Sequence, residues 1–367
     1  MLSCKTAGKI GLPTLVGFIA IGLIIGNFFE FESIAEVETI CNFALLLIVF
    51  TGGFHTDIKK ARPVLVLSSV LSGAGTLLTA LISAAFAYFV LSFEIYQALL
   101  LGVIISATDV ASVFSVLESK NIDLKNNLGE ILEVESGSNE PFAHILTLVL
   151  IAFVTGTRNI PLLLAQEIII GVAAGFVFAK GGQFLINRIN INVDSLYGIL
   201  LCGVAFLMYG IAVQFNGSGF LAVYIGGIII GNRKLVHKGS ISRLYGAVSM
   251  LMQITLFIVL GILCNPSSVL AVIGSGLLFA IFVLLIARPA AMFAVMKPFK
   301  RPLNEIALVS WSGFRGAASI VFAVHLLSEN LPYAERLYSI VFFVCMLSVV
   351  LQSSFIVPLA KKLKLVE

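Results

Sequence analysis

Glu135, Ser136, Asn139 and Glu140 introduce acidic, hydroxyl and amide groups into an otherwise apolar run that ends near Thr155. On a helix, Ser136 lies one turn before Glu140 and Glu135 lies one turn before Asn139, so the side chains form a polar side two stripes wide. A carboxylate inside a bilayer costs roughly 2.5 to 3.5 kcal/mol on insertion scales, so it is retained where it meets a partner, water or an ion. This polar side is therefore predicted to face a cavity and not lipid.

The composition places these groups in a membrane protein. Of the 367 residues, 59% are hydrophobic and 11% are charged, whereas water-soluble domains are about 45 to 50% apolar. Most apolar runs have about 16 to 30 residues, which suits helices that cross a hydrocarbon core of about 30 Å. Twelve such segments are predicted, at about 12–29, 39–54, 63–92, 97–117, 128–155, 160–187, 194–213, 218–232, 241–264, 267–296, 303–327 and 332–360. The sequence therefore predicts an all-α polytopic membrane protein.

The charged loops indicate how these segments are oriented. Basic loops contain Lys59, Lys60 and Arg62, then Lys120 and Lys125, then Arg188, then Arg233, Lys234, Lys238 and Arg243, then Lys297, Lys300 and Arg301, then Lys361, Lys362 and Lys364. The loops between them contain Glu30, Glu32, Glu36 and Glu38, then Glu94, then Arg158, then Glu329, Glu335 and Arg336. The positive-inside rule places the basic loops, and with Lys5 and Lys9 both chain termini, in the cytoplasm of a multi-pass cell-membrane protein. The basic residues are scattered, so no nucleic-acid partner is expected.

An internal repeat is visible. The motif from Gly22 to Asn27 closely matches the motif from Gly227 to Asn232, seven predicted segments later, and this odd separation inverts the second copy. A second match has the same spacing and follows two polar interruptions, which run from Ser106 to Asp109 and from Ser312 to Gly316. Paired interruptions in inverted repeats indicate a transporter's binding site, because broken helices expose backbone carbonyls and helix ends at mid-membrane.

At these residues the chain resembles a known family, the monovalent cation:proton antiporters of the NhaP type. The resemblance extends over essentially the whole chain. It is carried by the stretches Ser106-Ala-Thr-Asp-Val-Ala-Ser-Val-Phe114, Glu133-Val-Glu-Ser-Gly-Ser-Asn-Glu-Pro141, Ser312-Gly-Phe-Arg-Gly-Ala317 and Gly11-Leu-Pro13.

The resemblance implies an inverted-repeat antiporter fold with two crossing broken helices. Family members have thirteen helices, in two inverted six-helix bundles that a linker helix joins, and they form dimers. The twelve segments correspond to the second to thirteenth helices, so the first family helix is expected to be absent from this chain. Residues 1–155 are then the N-terminal repeat, 156–190 the linker helix and 191–367 the C-terminal inverted repeat.

The resemblance also implies a set of site residues. Asp109 and Glu140 are expected to be the carboxylates that proton and cation share. Thr108, Ser136 and Asn139 belong to the same binding set, and Glu135 is expected to form a structural ion pair with Arg315. Two departures from the family are that Glu140 replaces the usual Asp, and that Thr51 stands where many relatives have an acidic residue. His144 could relay protons, but a lone histidine on an apolar helix is more often a packing residue.

The function that follows is exchange of Na⁺ or K⁺ for H⁺ by alternating access at one shared site. Burial favours the protonated form of a carboxylate, whereas a desolvated cation bound to the same oxygens favours the ionised form. Proton and cation therefore compete for the site. The substrates are therefore the two ions, the chain is not expected to be an enzyme, and no cofactor is implied. A homodimer in the lipid bilayer is the expected assembly, and pH homeostasis is the expected role.

Two other functions stay open from the residues alone. A Na⁺-coupled organic-anion symporter of similar fold would need a larger cavity with cationic groups, for which Arg315 is the available residue. An intramembrane aspartyl protease would use two carboxylates that share a proton. The motif expected of such proteases is absent around Asp109, which argues against this reading.

Overall fold

The computed structural model describes residues 14–28, 33–120, 122–156, 159–189 and 193–366. Several residues used in the sequence predictions lie outside these ranges, namely Lys5, Lys9, Gly11, Leu12, Pro13, Glu30, Glu32 and Arg158.

The described chain is built from helices. They are α1 (Thr14–Gly26), α2 (Ile34–His55), α3 (Leu65–Phe89), α4 (Ile95–Ser106), α5 (Val110–Ser119), α6 (Leu128–Thr155), α7 (Ile160–Arg188), α8 (Asp194–Gln214), α9 (Gly219–Gly231), α10 (Lys238–Ile262), α11 (Ile273–Met296), α12 (Leu303–Trp311), α13 (Ala317–Ser328) and α14 (Ala334–Lys362). Two short helices, Ile58–Ala61 and Pro266–Ala271, lie before α3 and α11. A π-helical turn occurs within α3 (Leu71–Gly75), α11 (Val283–Ala287) and α14 (Ser348–Gln352).

These helices confirm the predicted all-α membrane architecture. Among the described residues, nine spans are long and apolar enough to cross a membrane, and α1, α9 and α13 are shorter apolar helices. Each predicted segment overlaps one of these elements. Both predicted interruptions are also present, because α4 stops at Ser106 before α5 begins at Val110, and α12 stops at Trp311 before α13 begins at Ala317.

Polar side chains begin several helices. The side-chain oxygens of Ser33, Asn159 and Ser218 accept hydrogen bonds, at 3.2 to 3.3 Å, from backbone N–H groups in the first turns of α2, α7 and α9. The first four N–H groups of a helix have no partner within the helix, and such groups are costly in an apolar surrounding. These caps therefore favour helix starts at the observed positions.

The helices pack into two bundles. In the first, which we call the site bundle, α3 packs on α4, α6 and α11, and α14 packs on α11 and α13. In the second, the flanking bundle, α2 packs on α9 and α10, α1 on α10, and α9 on α7 and α8. The bundles meet chiefly where α2 and α10 contact α13 and where α7 and α9 contact α6.

The glycines of the repeated motif allow equivalent close contacts in the flanking bundle. A Cβ atom on Gly22 would lie 2.2 Å from the Ile258 carbonyl oxygen of α10, and one on Gly227 would lie 2.5 Å from the Phe50 carbonyl oxygen of α2. Both neighbours are backbone atoms, so neither can give way without moving a helix. Small residues at such spacing let helices approach closely in membranes.

Hydrogen bonds join the basic loops to one another. The Asn232 side chain donates to the Thr56 carbonyl at 2.7 Å, and the Asn126 side chain donates to Glu305 at 2.7 Å. We call this side of the molecule the basic end. The opposite side, which includes Glu36, Glu94, Glu329 and Glu335, is the acidic end.

Candidate functional site

The two interrupted helices cross within the site bundle. The backbone N–H of Asp109 donates to the Phe314 carbonyl at 2.8 Å, and the Ser319 hydroxyl donates to the Ile104 carbonyl at 2.9 Å. The crossing therefore brings four helix ends together, from α4, α5, α12 and α13. N-terminal helix ends carry partial positive charge and C-terminal ends carry partial negative charge.

Asp109 occupies the positive ends of this crossing. Its carboxylate accepts hydrogen bonds from the Ser112 N–H at 3.1 Å and the Ser112 hydroxyl at 2.7 Å, in the first turn of α5. The same carboxylate lies against Gly316, the residue just before α13. A Cβ atom on Gly316 would lie 2.6 Å from the nearer carboxylate oxygen, so glycine permits this approach. The Asp109 carboxyl group thus lies between the N-terminal ends of α5 and α13.

Arg315 occupies a negative end and does not form the predicted ion pair with Glu135. Its Nη1 donates to the carbonyls of Ile105, Ser106 and Ala107, the latter two at 2.7 and 3.0 Å. These carbonyls lie at the C-terminal end of α4, where no following helical N–H can satisfy them. A fully buried guanidinium there supplies donors and a positive charge. Arg315 is therefore a cap for α4.

The ion pair of Glu135 is formed with Arg288. Nη1 of Arg288, at the end of the π-helical turn in α11, lies 2.9 Å from Oε1 of Glu135, and both side chains are 1% exposed. A Cβ atom on Gly313 would lie 2.7 Å from Arg288 Nε, so Gly313 leaves room for the guanidinium. Sequence reasoning misses Arg288, although a charge inside the predicted 267–296 segment requires a partner.

Asn139 connects this ion pair to the crossing. Its side-chain amide donates to Glu135 at 3.0 Å and to the Thr108 hydroxyl at 2.7 Å, and its oxygen accepts from the Thr108 N–H at 3.2 Å. The Ser136 hydroxyl donates to the Thr108 carbonyl. Four predicted site residues therefore form one contiguous hydrogen-bonded group around the end of α4.

The two polar stripes of α6 have different surroundings. Ser136 and Glu140 line a cavity of about 810 Å³, together with Asp109. Asn139 and Glu135 instead face Thr108 and Arg288, as the contacts above show. The predicted cavity-facing side is thus half correct, because one stripe faces the cavity and the other contacts protein.

The cavity extends from the two carboxylates toward the basic end. Asp109 is 1% exposed and Glu140 is 5% exposed, whereas the exposed residues His55 and Arg243 line the same cavity near the basic loops. Thr51 also lines it. The cavity therefore gives two buried carboxylates from different helices access to one side of the molecule.

Comparison with known proteins gives a consistent result. A family profile described as "Sodium/hydrogen exchanger, transmembrane" matches residues 1–362. The K(+)/H(+) antiporter NhaP of Alkalimonas amylolytica is 31% identical over 367 residues, which cover 98% of this chain and 64% of that protein. The K(+)/H(+) antiporter NhaP2 of Shewanella oneidensis is 30% identical, with coverage of 99% and 65%. The chain thus spans slightly less than two thirds of the length of these relatives.

Two archaeal proteins are similar over nearly their full length. The "Probable Na(+)/H(+) antiporter 2" of Methanocaldococcus jannaschii is 27% identical, with 97% of this chain and 92% of that protein covered. The structure of the sodium proton antiporter MjNhaP1 from the same organism superposes with a TM-score of 0.87 at 24% identity, covering 99% of this chain and 95% of that chain. The latter comparison confirms the inverted-repeat antiporter fold with its crossing helices.

Proposed function

Because the chain belongs to the sodium/hydrogen exchanger family, we propose that it exchanges Na⁺ or K⁺ for H⁺ across the membrane. The observation that carries this proposal is the placement of Asp109 and Glu140 on a single cavity, at the crossing of two broken helices. The named relatives include potassium and sodium antiporters, so either cation is a candidate substrate. The chemistry is transport, and no enzymatic step is invoked.

The electrostatics of the site favour competition between the two ions. Two buried carboxylates on one cavity repel each other when both are charged, so a bound proton or cation stabilises the pair. A cation that binds needs oxygen ligands to replace its hydration shell. Asp109, Glu140 and Ser136 line the cavity and can supply these oxygens.

Thr108 and Asn139 complete the proposed binding set. Neither lines the cavity, but the Thr108 carbonyl accepts the Ser136 hydroxyl bond and the Asn139 amide holds Thr108 in place. In our proposal Asn139 positions Thr108 and Ser136, while the Glu135–Arg288 pair fixes Asn139 from the other side. The cation ligands are then held in place by a connected group of hydrogen bonds and one ion pair.

The topology of the proposal follows from the charged loops. The basic end is assigned to the cytoplasm of a cell-membrane protein by the positive-inside rule, which also places both termini of this chain there. The carboxylate cavity is then open to the cytoplasm. Opening to the opposite side would require relative movement of the two bundles, after which bound ions could leave at the acidic end. A homodimer remains part of the proposal.

The organic-anion symporter has less support than cation exchange. Arg288 binds Glu135 and Arg315 binds the carbonyls at the end of α4, and neither arginine lines the cavity. Arg243 lines its exposed part. An organic anion near Asp109 and Glu140 would therefore meet two carboxylates without a cation close by.

The decisive experiment is cation–proton exchange in reconstituted vesicles. A pH-sensitive dye should show dequenching when Na⁺ or K⁺ is added to vesicles that contain the wild-type chain. Glu140→Gln and Asp109→Asn should abolish the signal, because an amide keeps the size of the side chain but cannot carry the proton. Glu140→Asp should retain exchange.

The matched control is Glu94→Gln, which changes an exposed carboxylate at the start of α4 and should leave exchange unchanged. Each variant must also elute as a folded species in detergent. Wild-type exchange rates in a folded Glu140→Gln protein would contradict the assignment of the shared site.

A further inference from the structure

A polar cluster lies at the acidic end, at the contact between the two bundles. Nδ1 of His325, on α13 of the site bundle, lies 2.5 Å from Oε1 of Glu38, on α2 of the flanking bundle. Beside this contact, the Ser328 hydroxyl of α13 donates to the His325 carbonyl at 2.8 Å. The Glu38 and His325 side chains are 19% and 20% exposed, while Nε2 of His325 is itself buried without a hydrogen-bond partner among the described residues.

His144 extends this cluster toward the site. It lies one turn beyond Glu140 on α6, and its ring centroid is 6.5 Å from that of His325. The His144 ring packs against Phe220 of the flanking bundle at 4.7 Å and against Phe322 of α13 at 5.5 Å. These rings fill the space between Glu140 and the Glu38–His325 contact.

The cavities of the molecule show that this layer separates the carboxylates from the acidic end. The cavity of Asp109 and Glu140 reaches the surface beside Arg243, at the basic end. A second cavity of about 430 Å³ opens at the acidic end beside Asn330, and neither carboxylate lines it. Because α13 packs on α2 across the two bundles, we expect exposure of the carboxylates at the acidic end to involve separation of these two helices.

We propose that Glu38 and His325 form a proton-dependent latch, which keeps the acidic end of the site closed while His325 is protonated. The latch rests on the proposed exchange function, because it controls access to the same two carboxylates. The contact is an ion pair when the imidazole is charged and a hydrogen bond when it is neutral. Low pH at the acidic end should thus favour the closed state, and rising pH should release it.

Other groups surround this pair and contribute to its electrostatics. They are Cys41 of α2, His144 of α6 and Tyr209 of α8, and Tyr209 in turn interacts with Glu167 of α7. Glu38 is the acidic group in direct contact with His325. His144 faces His325 from α6, and a proton on either imidazole would disfavour a proton on the other.

The latch can be measured without an ion gradient. Thr147 lies two turns beyond Glu140 on the same side of α6 and is fully buried. A Thr147→Cys reporter should react slowly with a membrane-impermeant thiol reagent added at the acidic end, and faster as the pH there rises. The same chain without the reporter gives the background from its native cysteines.

Three variants separate the latch from a merely structural contact. Glu38→Gln removes the anion, so the rate at which the Thr147→Cys thiol is labelled should rise about fivefold at low pH, as expected for a partly exposed pair. The labelling rate of this variant should then depend on pH only as the thiol itself does. His325→Lys keeps a charge at every pH, so labelling should stay slow throughout. Glu36→Gln, an exposed carboxylate on the same helix, should reproduce the parent profile and corrects for the pH dependence of the thiol itself.

The results distinguish the latch from the exchange function. Unchanged labelling in Glu38→Gln, or a His325→Lys profile that still rises with pH like the parent, would overturn the latch even if vesicles exchange cations for protons. If labelling follows the three predictions but wild-type vesicles show no exchange, the pH-dependent contact stands and the proposed function fails.

Discussion

Neutralising Glu135 should destabilise the protein strongly, because it leaves the Arg288 charge buried and unpaired. The two atoms of the pair are 2.9 Å apart and both side chains are 1% exposed. Removing one partner of such a pair costs about 3 to 5 kcal/mol. Glu135→Gln is the cleanest change, since its amide oxygen can still accept the bond that Asn139 donates at 3.0 Å.

A double-mutant cycle of Glu135 and Arg288 measures how strongly the two residues are coupled. A loss of 1 kcal/mol lowers the melting temperature of a domain of 150 to 250 residues by about 2 to 4 °C, so each single variant should melt on the order of 10 °C lower. Thermal unfolding of purified protein in detergent measures this at fixed pH. In Glu135→Gln/Arg288→Gln no unpaired charge remains, so the double variant should be more stable than the sum of the single losses predicts. The coupling should reach about 1 to 3 kcal/mol.

Two comparisons test the reasoning. Arg301 and Glu305 form a pair at 3.1 Å in which Arg301 is 22% exposed, so Arg301→Gln should cost less than about 1 kcal/mol. Combining Glu135→Gln with Arg315→Gln should give a smaller coupling than the combination with Arg288→Gln, because Arg315 binds carbonyls. Additive losses for Glu135 and Arg288 would refute the assignment of the pair.

Three further results are expected. Gly316→Ala should reduce exchange while the protein still folds, since its Cβ would lie 2.6 Å from the Asp109 carboxylate; Gly203→Ala, where no atom lies within 4 Å, is the control for transport assays. Gly227→Ala should lower the yield of folded protein by forcing α9 from α2, where the Phe50 carbonyl would be 2.5 Å away, and normal yield and melting would contradict the packing. Adding Na⁺ or K⁺ to detergent-solubilised protein should release protons, because the cation binds the deprotonated site. For the same reason, a higher cation concentration should move the pH optimum of exchange to lower pH. Cation binding without proton release would favour the symporter.

The membrane-spanning segments could be predicted because they depend on local properties. Run length and bounding charges fix where an apolar helix can begin and end, and caps such as Ser218 act within one turn of the chain. The π-helical turns could not be predicted in this way. The turn Val283–Ala287 lies in an uninterrupted apolar run, and no local preference marks it.

The residues of the site were predicted more completely than the contacts between them. Spacing along α6 identifies its two polar stripes, but which stripe meets the cavity depends on the rotation of α6 against helices distant in sequence. Glu135 therefore had an expected partner in Arg315, whereas Arg288, 153 residues away, forms the pair. Arg288 comes directly after the π-helical turn of α11, whose extra residue alters the direction of the side chains that follow.

The internal repeat accounts for the position of Arg315 at the helix crossing. Asp109 comes three residues after Ser106, and Arg315 comes three residues after Ser312, so the two charges occupy matching positions in the two interruptions. At the crossing, Asp109 accepts hydrogen bonds from the first turn of α5 and lies against Gly316 at the start of α13, whereas Arg315 donates to the last carbonyls of α4. A negative group thus neutralises helix N-termini and a positive group neutralises a C-terminus. The corresponding end of α12 carries no such charge, since the Trp311 carbonyl accepts a bond from the neutral side chain of Gln352 at 2.7 Å. Within the two interruptions, 106–109 and 312–316, Asp109 is the acidic residue. Arg315, bound to three carbonyls, holds α4 in place beside it.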